Sequence, residues 1–301
     1  MSYRGSAVRR GEWLEVMPGR LPQNTDSPHS TVHQWLKETL RVPPKLLSRL
    51  EQQDGIKLAG DRIRIRLFPP RDYGFEPYWA ELHVLYEDDY CLVVHKPAGM
   101  KVHPTGNERQ PTLAHVVAAH YMGQGEQVAV RHIHRLDEFT SGPVLYAKNE
   151  YAQLILDEAM SVKKIERVYV AVVQGSVESP AFRVEAPIGR DRHHAKRQRV
   201  SDTGKPAATR VALLDSLREA SLVRLTLETG RTHQIRVHMS HIGHPLVGDE
   251  LYGGSTRYFS YQALHGESLT FPHPLTGEIV EVRDPWPKDF TELHRRLSLE
   301  S

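Results

Sequence analysis

Apolar positions along the chain fall into two regimes. Before residue 80 they are scattered among polar and charged residues; from Glu81 onward they come in blocks separated by turn-formers. Residues 1–30 show no clear period, so loop is expected there, apart from a strand at Trp13-Leu14-Glu15-Val16. Val32, Trp35, Leu36 and Leu40 share one helical face and predict a short amphipathic helix from Thr31. Pro43-Pro44 breaks that helix and opens a second over 45–52. After the turn at Asp54-Gly55, Ile56-Lys57-Leu58 and Ile63-Arg64-Ile65-Arg66-Leu67 lie on either side of Gly60 and predict a hairpin of alternating Ile and Arg. Residues 68–74 and Glu76-Pro77 read as a linker.

In the second regime, His83-Val84-Leu85-Tyr86 and residues 90–95 predict two strands around the turn Glu87-Asp88-Asp89. Leu113, Val116, Val117 and Tyr121 predict a helix running to about Met122. Val144-Leu145-Tyr146-Ala147 reads as a buried strand, and Asn149 as the cap of a helix reaching Met160. Residues 166–174 form a strand ending at Gly175. Residues 211–214 and 222–227 give two more. Thr232 is placed to cap a helix with Ile235, Met239 and Ile242 on one face, stopped by Gly243.

Composition narrows the class. A chain of 301 residues that is 39% apolar can bury a sizeable core, and its length suits one large domain plus something small. The change of pattern divides it into 1–79 and 80–301. No apolar run approaches a membrane span, and the N-terminus has no charged-then-apolar signal pattern. Cys91 is the single cysteine, which excludes an internal disulfide and a cysteine-rich metal site. A cytoplasmic protein is expected. Net charge is +2: residues 1–79 hold 13 Lys+Arg against 9 Asp+Glu, and residues 80–301 hold 26 against 28. Any nucleic-acid contact in the larger part must therefore come from local patches.

The candidate chemistry centres on Arg131-His132-Ile133-His134-Arg135-Leu136-Asp137-Glu138-Phe139-Thr140-Ser141-Gly142-Pro143. Gly142 and Pro143 make a turn, so Asp137 sits in a loop braced by the strand that follows, a common place for a catalytic group. The bland alternative is an acid that caps Thr140 or Ser141. Pairing Asp137 with Glu138 as two glycosidase carboxylates fails, because adjacent residues on an extended segment point to opposite sides. A metal site built on His238, His241 and His244, or on His132 and His134, also fares poorly. Gly243 ends the helix before His244, and no acid completes a familiar ligand spacing. Residues 190–199 carry five Lys/Arg and one acid, either a solvated loop or a phosphate-facing one.

His134-Arg135-Leu136-Asp137, Thr140-Ser141-Gly142, Leu145 and Ala147-Lys148 together resemble the central motif of the RluA-type RNA pseudouridine synthases. Three further stretches are similar to that family. They are Asp89, Leu92 and Val94 with Lys96-Pro97-Ala98-Gly99; Tyr169-Val170-Ala171-Val172-Val173-Gln174-Gly175; and Thr229-Gly230-Arg231-Thr232-His233-Gln234-Ile235-Arg236. His265 and Leu269 fit its C-terminal strand, and the matches span roughly 81–275. Two short helices and a basic hairpin in residues 31–67 resemble, in layout, the α-L RNA-binding motif found before many such enzymes.

The resemblance implies an α+β fold: a mixed, mostly antiparallel bent sheet with flanking helices, plus a small N-terminal α+β module. It implies conversion of uridine to pseudouridine in structured ribosomal or transfer RNA, by a monomer that needs no cofactor and no metal. Asp137 falls on the catalytic aspartate, Tyr169 on a tyrosine that stacks on the base, and Arg236 on the arginine that orients the aspartate. One carboxylate can serve either as nucleophile or by assisting proton removal from the sugar. Arg135 would hold the flipped nucleotide, and His134, Arg190, Arg192, Lys196, Arg197, Arg199 and Arg231 would contact RNA. A fold that has lost its chemistry and only binds RNA is the rival. The presence of Asp137, Tyr169 and Arg236 together weighs against it.

Overall fold

The computed structural model describes residues 5–19, 28–105 and 110–299. The loop expected over 20–27 lies outside them.

The N-terminal part is an antiparallel sheet with two helices. Its strands are β1 (Ala7–Arg10), β2 (Trp13–Val16), β3 (Ile56–Ala59) and β4 (Arg62–Ile65), in the order β1-β2-β4-β3. The helices α1 (Pro28–Glu38) and α2 (Pro44–Gln52) lie between β2 and β3 in the chain. The period-2 pattern of β4 is realised: Ile63 and Ile65 are buried, while Arg62 and Arg64 turn outward toward Glu15. β1 has no apolar alternation of its own and forms by pairing with β2.

The expected linker is irregular in backbone but strapped down. Phe68 is buried, packs edge-on against Tyr90 and carries the Arg9 guanidinium 4.6 Å from its ring centroid. Farther along, Arg71 N–H donates to Gln127 O, and Tyr78 N–H donates to His115 O. One apolar cluster consequently runs from Leu14, Leu36 and Ile63 through Phe68 and Tyr90 to Tyr151 and Phe271.

The rest of the chain is built on two antiparallel sheets. The first contains β5 (Val84–Glu87), β6 (Cys91–Lys96), β7 (Arg131–His132) and β8 (Gly142–Ala147), in the order β5-β6-β8-β7. Its helices are α3 (Leu113–Gly123) and α4 (Glu150–Ser161), the latter capped as expected by Asn149, whose side chain accepts from Ala152 N–H at 2.8 Å.

The second sheet uses β9 (Glu166–Gln174), β10 (Ala181–Glu185), β13 (Ala208–Leu217), β14 (Ala220–Leu227), β15 (Leu264–Pro272) and β16 (Ile279–Arg283). Its order is β10-β13-β14-β9-β15-β16. A separate hairpin of β11 (Ile188–Arg190) and β12 (Gln198–Val200) holds the basic run, which is therefore a pinned ribbon rather than a free loop. α5 (Gln234–His241) and α6 (Lys288–Leu299) complete the chain. α6 packs Phe290, Leu293 and Leu297 against Val170, Val172 and Leu222. The sequence motifs stop near residue 275 and do not announce it.

The two sheets meet where β8 begins beside β15. Ser141 bridges His265 in parallel, and the Ser141 hydroxyl donates to His265 Nδ1 at 2.9 Å. Gly142 has φ of +137°, and a Cβ there would lie 2.7 Å from the Gly266 backbone, so no side chain fits. This junction fixes the loop that carries Asp137.

Candidate active site

Three elements converge on the Asp137 loop. The first is the turn after β6. Lys96 is fully buried, and its ammonium donates to Pro97 O, Met100 O and Glu138 O at 2.8, 2.6 and 2.8 Å. Burial pulls this lysine down to about 7, against the pull of Asp137 and Glu138 in the other direction. Three carbonyls match its three protons. Gly99 N–H also donates to Glu138 O. The Lys96-Pro97-Ala98-Gly99 turn thus clamps the peptide that follows Asp137.

The second element is α5. Arg236 is buried there and donates from Nη1 to Asp137 Oδ2 at 3.1 Å. Its other face forks onto Asp249, with Nε to Oδ2 at 2.7 Å and Nη2 to Oδ1 at 2.8 Å. Burial acts to lower the Arg236 guanidinium, yet Asp249 and Asp137 together hold it above its ordinary range. Asp249 is only 1% exposed, so the buried ion pair is Arg236–Asp249, while Asp137 keeps one edge open. Sequence reasoning missed Asp249. It stands next to Glu250 after Val247-Gly248, and two adjacent acids give no local sign of which one is buried against Arg236.

The start of α5 departs from expectation. Thr232 does not cap it. His233 occupies that position with φ of +57° and makes no capping bond. The buried Gln234 side chain does the work instead: it accepts Arg231 N–H and the Thr229 hydroxyl, and donates to Ala208 O and Thr209 Oγ1. Tightening the turn in this way swings the His233 Nε2 to 3.9 Å from Asp137 Oδ2. His233 Nδ1 lies 2.8 Å from the Tyr252 hydroxyl, and burial holds this imidazole below its usual range.

The third element is β9. Tyr169 is 5% exposed and lines the same cleft of about 120 Å³ as Asp137, Arg236, His233 and Arg135. Burial pushes its phenol up. Arg167, a residue outside the recognised motifs, lines this cleft too. Arg135 is exposed at the rim and donates to Thr232 Oγ1 at 3.3 Å, and Arg231 is exposed beside it with its Nε on Pro206 O.

His134 does not face the cleft opening as an RNA contact would. It is 8% exposed, accepts Leu145 N–H at 3.3 Å, and is pushed by burial to about 3, so it stays neutral. Its hydrogen bond braces β8 through the Leu145 N–H, a buried placement unlike the exposed one expected of an RNA contact. In the hairpin, Arg190, Arg192, Lys196 and Arg199 are exposed, whereas Arg197 is half-buried with its guanidinium 5.4 Å from the Tyr252 ring centroid. Tyr252 accepts Gln198 N–H and carries Arg236 over its ring at 4.9 Å, which ties the hairpin to the Arg236 side of the cleft. Of the histidines considered for metal, His238 donates to Ala186 O and His244 donates to Gln174 O.

The comparison with known proteins decides the family. Residues 89–241 match the model of the RNA pseudouridylate synthases. The chain belongs to the RNA pseudouridylate synthase family. It is similar to an uncharacterized RNA pseudouridine synthase of Bacillus subtilis, YhcT, with 42% identity covering 78% of this chain and 79% of that one. It is also similar to ribosomal large subunit pseudouridine synthase D of Haemophilus influenzae, with 36% identity over 94% of each chain. Among solved structures, human RNA pseudouridylate synthase domain containing 1 aligns with a TM-score of 0.58 and 28% identity, covering 70% of this chain and 86% of that one. The α+β fold and the RluA-type kinship implied by the motifs both hold. The protein is an RNA pseudouridine synthase, an isomerase that acts on uridine in RNA. No helix among the described residues is long and apolar enough to cross a membrane.

Proposed function

We propose that the protein converts a uridine of structured ribosomal or transfer RNA to pseudouridine, with Asp137 as the reacting carboxylate. The observation that carries this is the Asp137–Arg236 contact of 3.1 Å inside a cleft walled by Tyr169. The reaction breaks the bond from the sugar's anomeric carbon to base nitrogen 1 and forms one to carbon 5. Nitrogen 1 gains a proton and carbon 5 loses one, so no oxidant is needed. Asp137 acts as nucleophile or assists proton removal from the sugar, and the Arg236 arm holds it aimed. A base inside folded RNA is out of reach, so it is flipped into the cleft, where the Tyr169 ring supplies a stacking face.

Relatives named for the large ribosomal subunit favour ribosomal RNA. Residues 1–79 are read as an RNA-gripping module and 80–301 as the catalytic domain, with the basic β4 and the net charge of the first part in support. Tritium release from RNA labelled at uridine carbon 5 tests the reading. Folded ribosomal or transfer RNA transcripts release label and free uridine does not; the reverse would overturn it.

The exposed cations of the hairpin are assigned to phosphates. Replacing Arg190, Arg192, Lys196 and Arg199 with Gln should weaken binding across RNA sequences. The slope of log affinity against log salt should flatten by roughly 0.7–0.9 for each phosphate that is no longer neutralised. Arg197 is left in place because it packs on Tyr252. Filter binding at several salt concentrations checks this; an unchanged slope would remove the hairpin from the interface.

A further inference from the structure

We propose that Phe139, Tyr261 and Phe259 form a second stacking subsite, which takes a nucleobase flanking the target uridine. The proposal rests on the reading of Asp137 as the reacting group. Phe139 stands two residues after Asp137 and is 42% exposed, an unusual position for a large apolar ring beside a polar cleft. Its ring lies 5.6 Å from that of Tyr261 at 29°, in a stacked arrangement. Phe259 follows at 4.5 Å from Tyr261, tilted by 57°. The Tyr261 hydroxyl is anchored on Asp289, which fixes the direction of its ring.

This surface is held rigid. The Glu138 carbonyl, immediately before Phe139, takes both the Lys96 ammonium and the Gly99 N–H. Ordering an aromatic ring in advance lowers the entropy lost on binding. Tyr261 and Phe259 wall a cavity of about 220 Å³ that also touches Ser141 and Leu264. Leu264 and the neighbouring Thr140 line the Asp137 cleft as well. The two spaces therefore lie on opposite sides of one short loop.

The chemistry of the occupant follows from that placement. Flipping a uridine strips its neighbours of a stacking partner. An exposed aromatic face one loop away can replace that partner, and it tolerates any base because every base has a π-face. Among the described residues no cation is seen stacked on the three rings, and the Asp289 carboxylate that holds the Tyr261 hydroxyl disfavours an anion there. A planar neutral base fits; a phosphate does not.

The test uses the full chain and short hairpin RNAs carrying one loop uridine with 2-aminopurine on its 5′ or its 3′ side. Binding of the wild type should quench 2-aminopurine on one side. Phe139→Ala should abolish that quench and weaken binding about tenfold, within the range for loss of one stacked base. The loss should fall on KM rather than on the rate at saturating RNA. Phe139→Trp should keep both quench and affinity, and Phe139→Leu should behave like Phe139→Ala. Wild-type affinity in Phe139→Leu, a quench that survives Phe139→Ala, or no quench on either side would overturn the subsite. Asp137→Asn should keep the quench. Turnover by that variant would sink the active-site reading alone, whereas a quench independent of Phe139 sinks only the subsite.

Discussion

Asp137→Asn should abolish tritium release while RNA binding and the melting temperature stay near those of the wild type. The change is nearly isosteric and removes the charge on which both candidate routes depend. Asp137 is about a quarter exposed and receives a single arm of Arg236, so its neutralisation leaves the Arg236–Asp249 pair intact. Loss of one essential catalytic group commonly costs several orders of magnitude in rate. Single-turnover release at saturating RNA reads the effect free of binding. A rate within about tenfold of wild type would exclude Asp137 as the reacting group.

Arg236→Met should be nearly as damaging to the chemistry and, unlike Asp137→Asn, should also destabilise the fold. It strips the orienting arm from Asp137 and leaves the Asp249 carboxylate buried without its fork. Breaking a buried pair on one side costs about 3–5 kcal/mol. It also removes the cation that lies over the Tyr252 ring, to which the basic hairpin is hooked. Denaturant melts should show the loss, and Arg236→Met with Asp249→Leu should recover part of it without recovering activity. A variant of wild-type stability would mean that Asp249 is satisfied some other way.

The two variants separate what the sequence made legible from what it did not. Asp137, Tyr169 and Arg236 were readable because each sits in a motif whose local pattern also fixes its element. A buried strand follows Asp137, and a helix with an Ile235–Met239 face carries Arg236. Asn149 as a cap and Gly243 as a stop, with φ of +88°, were legible for the same local reason. Asp249 was not legible. Its partner lies 13 residues away across a turn, and nothing in the intervening residues announces a buried acid. His233 was hidden differently. Thr232 is the better capping residue by type, but the Gln234 side chain satisfies Arg231 N–H and the Thr229 hydroxyl, so a left-handed histidine wins the position. The burial of His134 depends on the Arg131–His132 strand pairing beside β8, a tertiary fact. α6 did carry a helical apolar pattern at Phe290, Leu293 and Leu297, but without a motif to draw attention to it.

The most direct test is a pseudouridine map of ribosomal and transfer RNA from cells lacking the gene, complemented with the wild type or with Asp137→Asn. At least one uridine in folded RNA should stay unmodified in the deletion strain, be restored by the wild type, and remain uridine with Asp137→Asn. Restoration by Asp137→Asn, or maps identical in all strains, would contradict the assignment of Asp137 and of its RNA substrate.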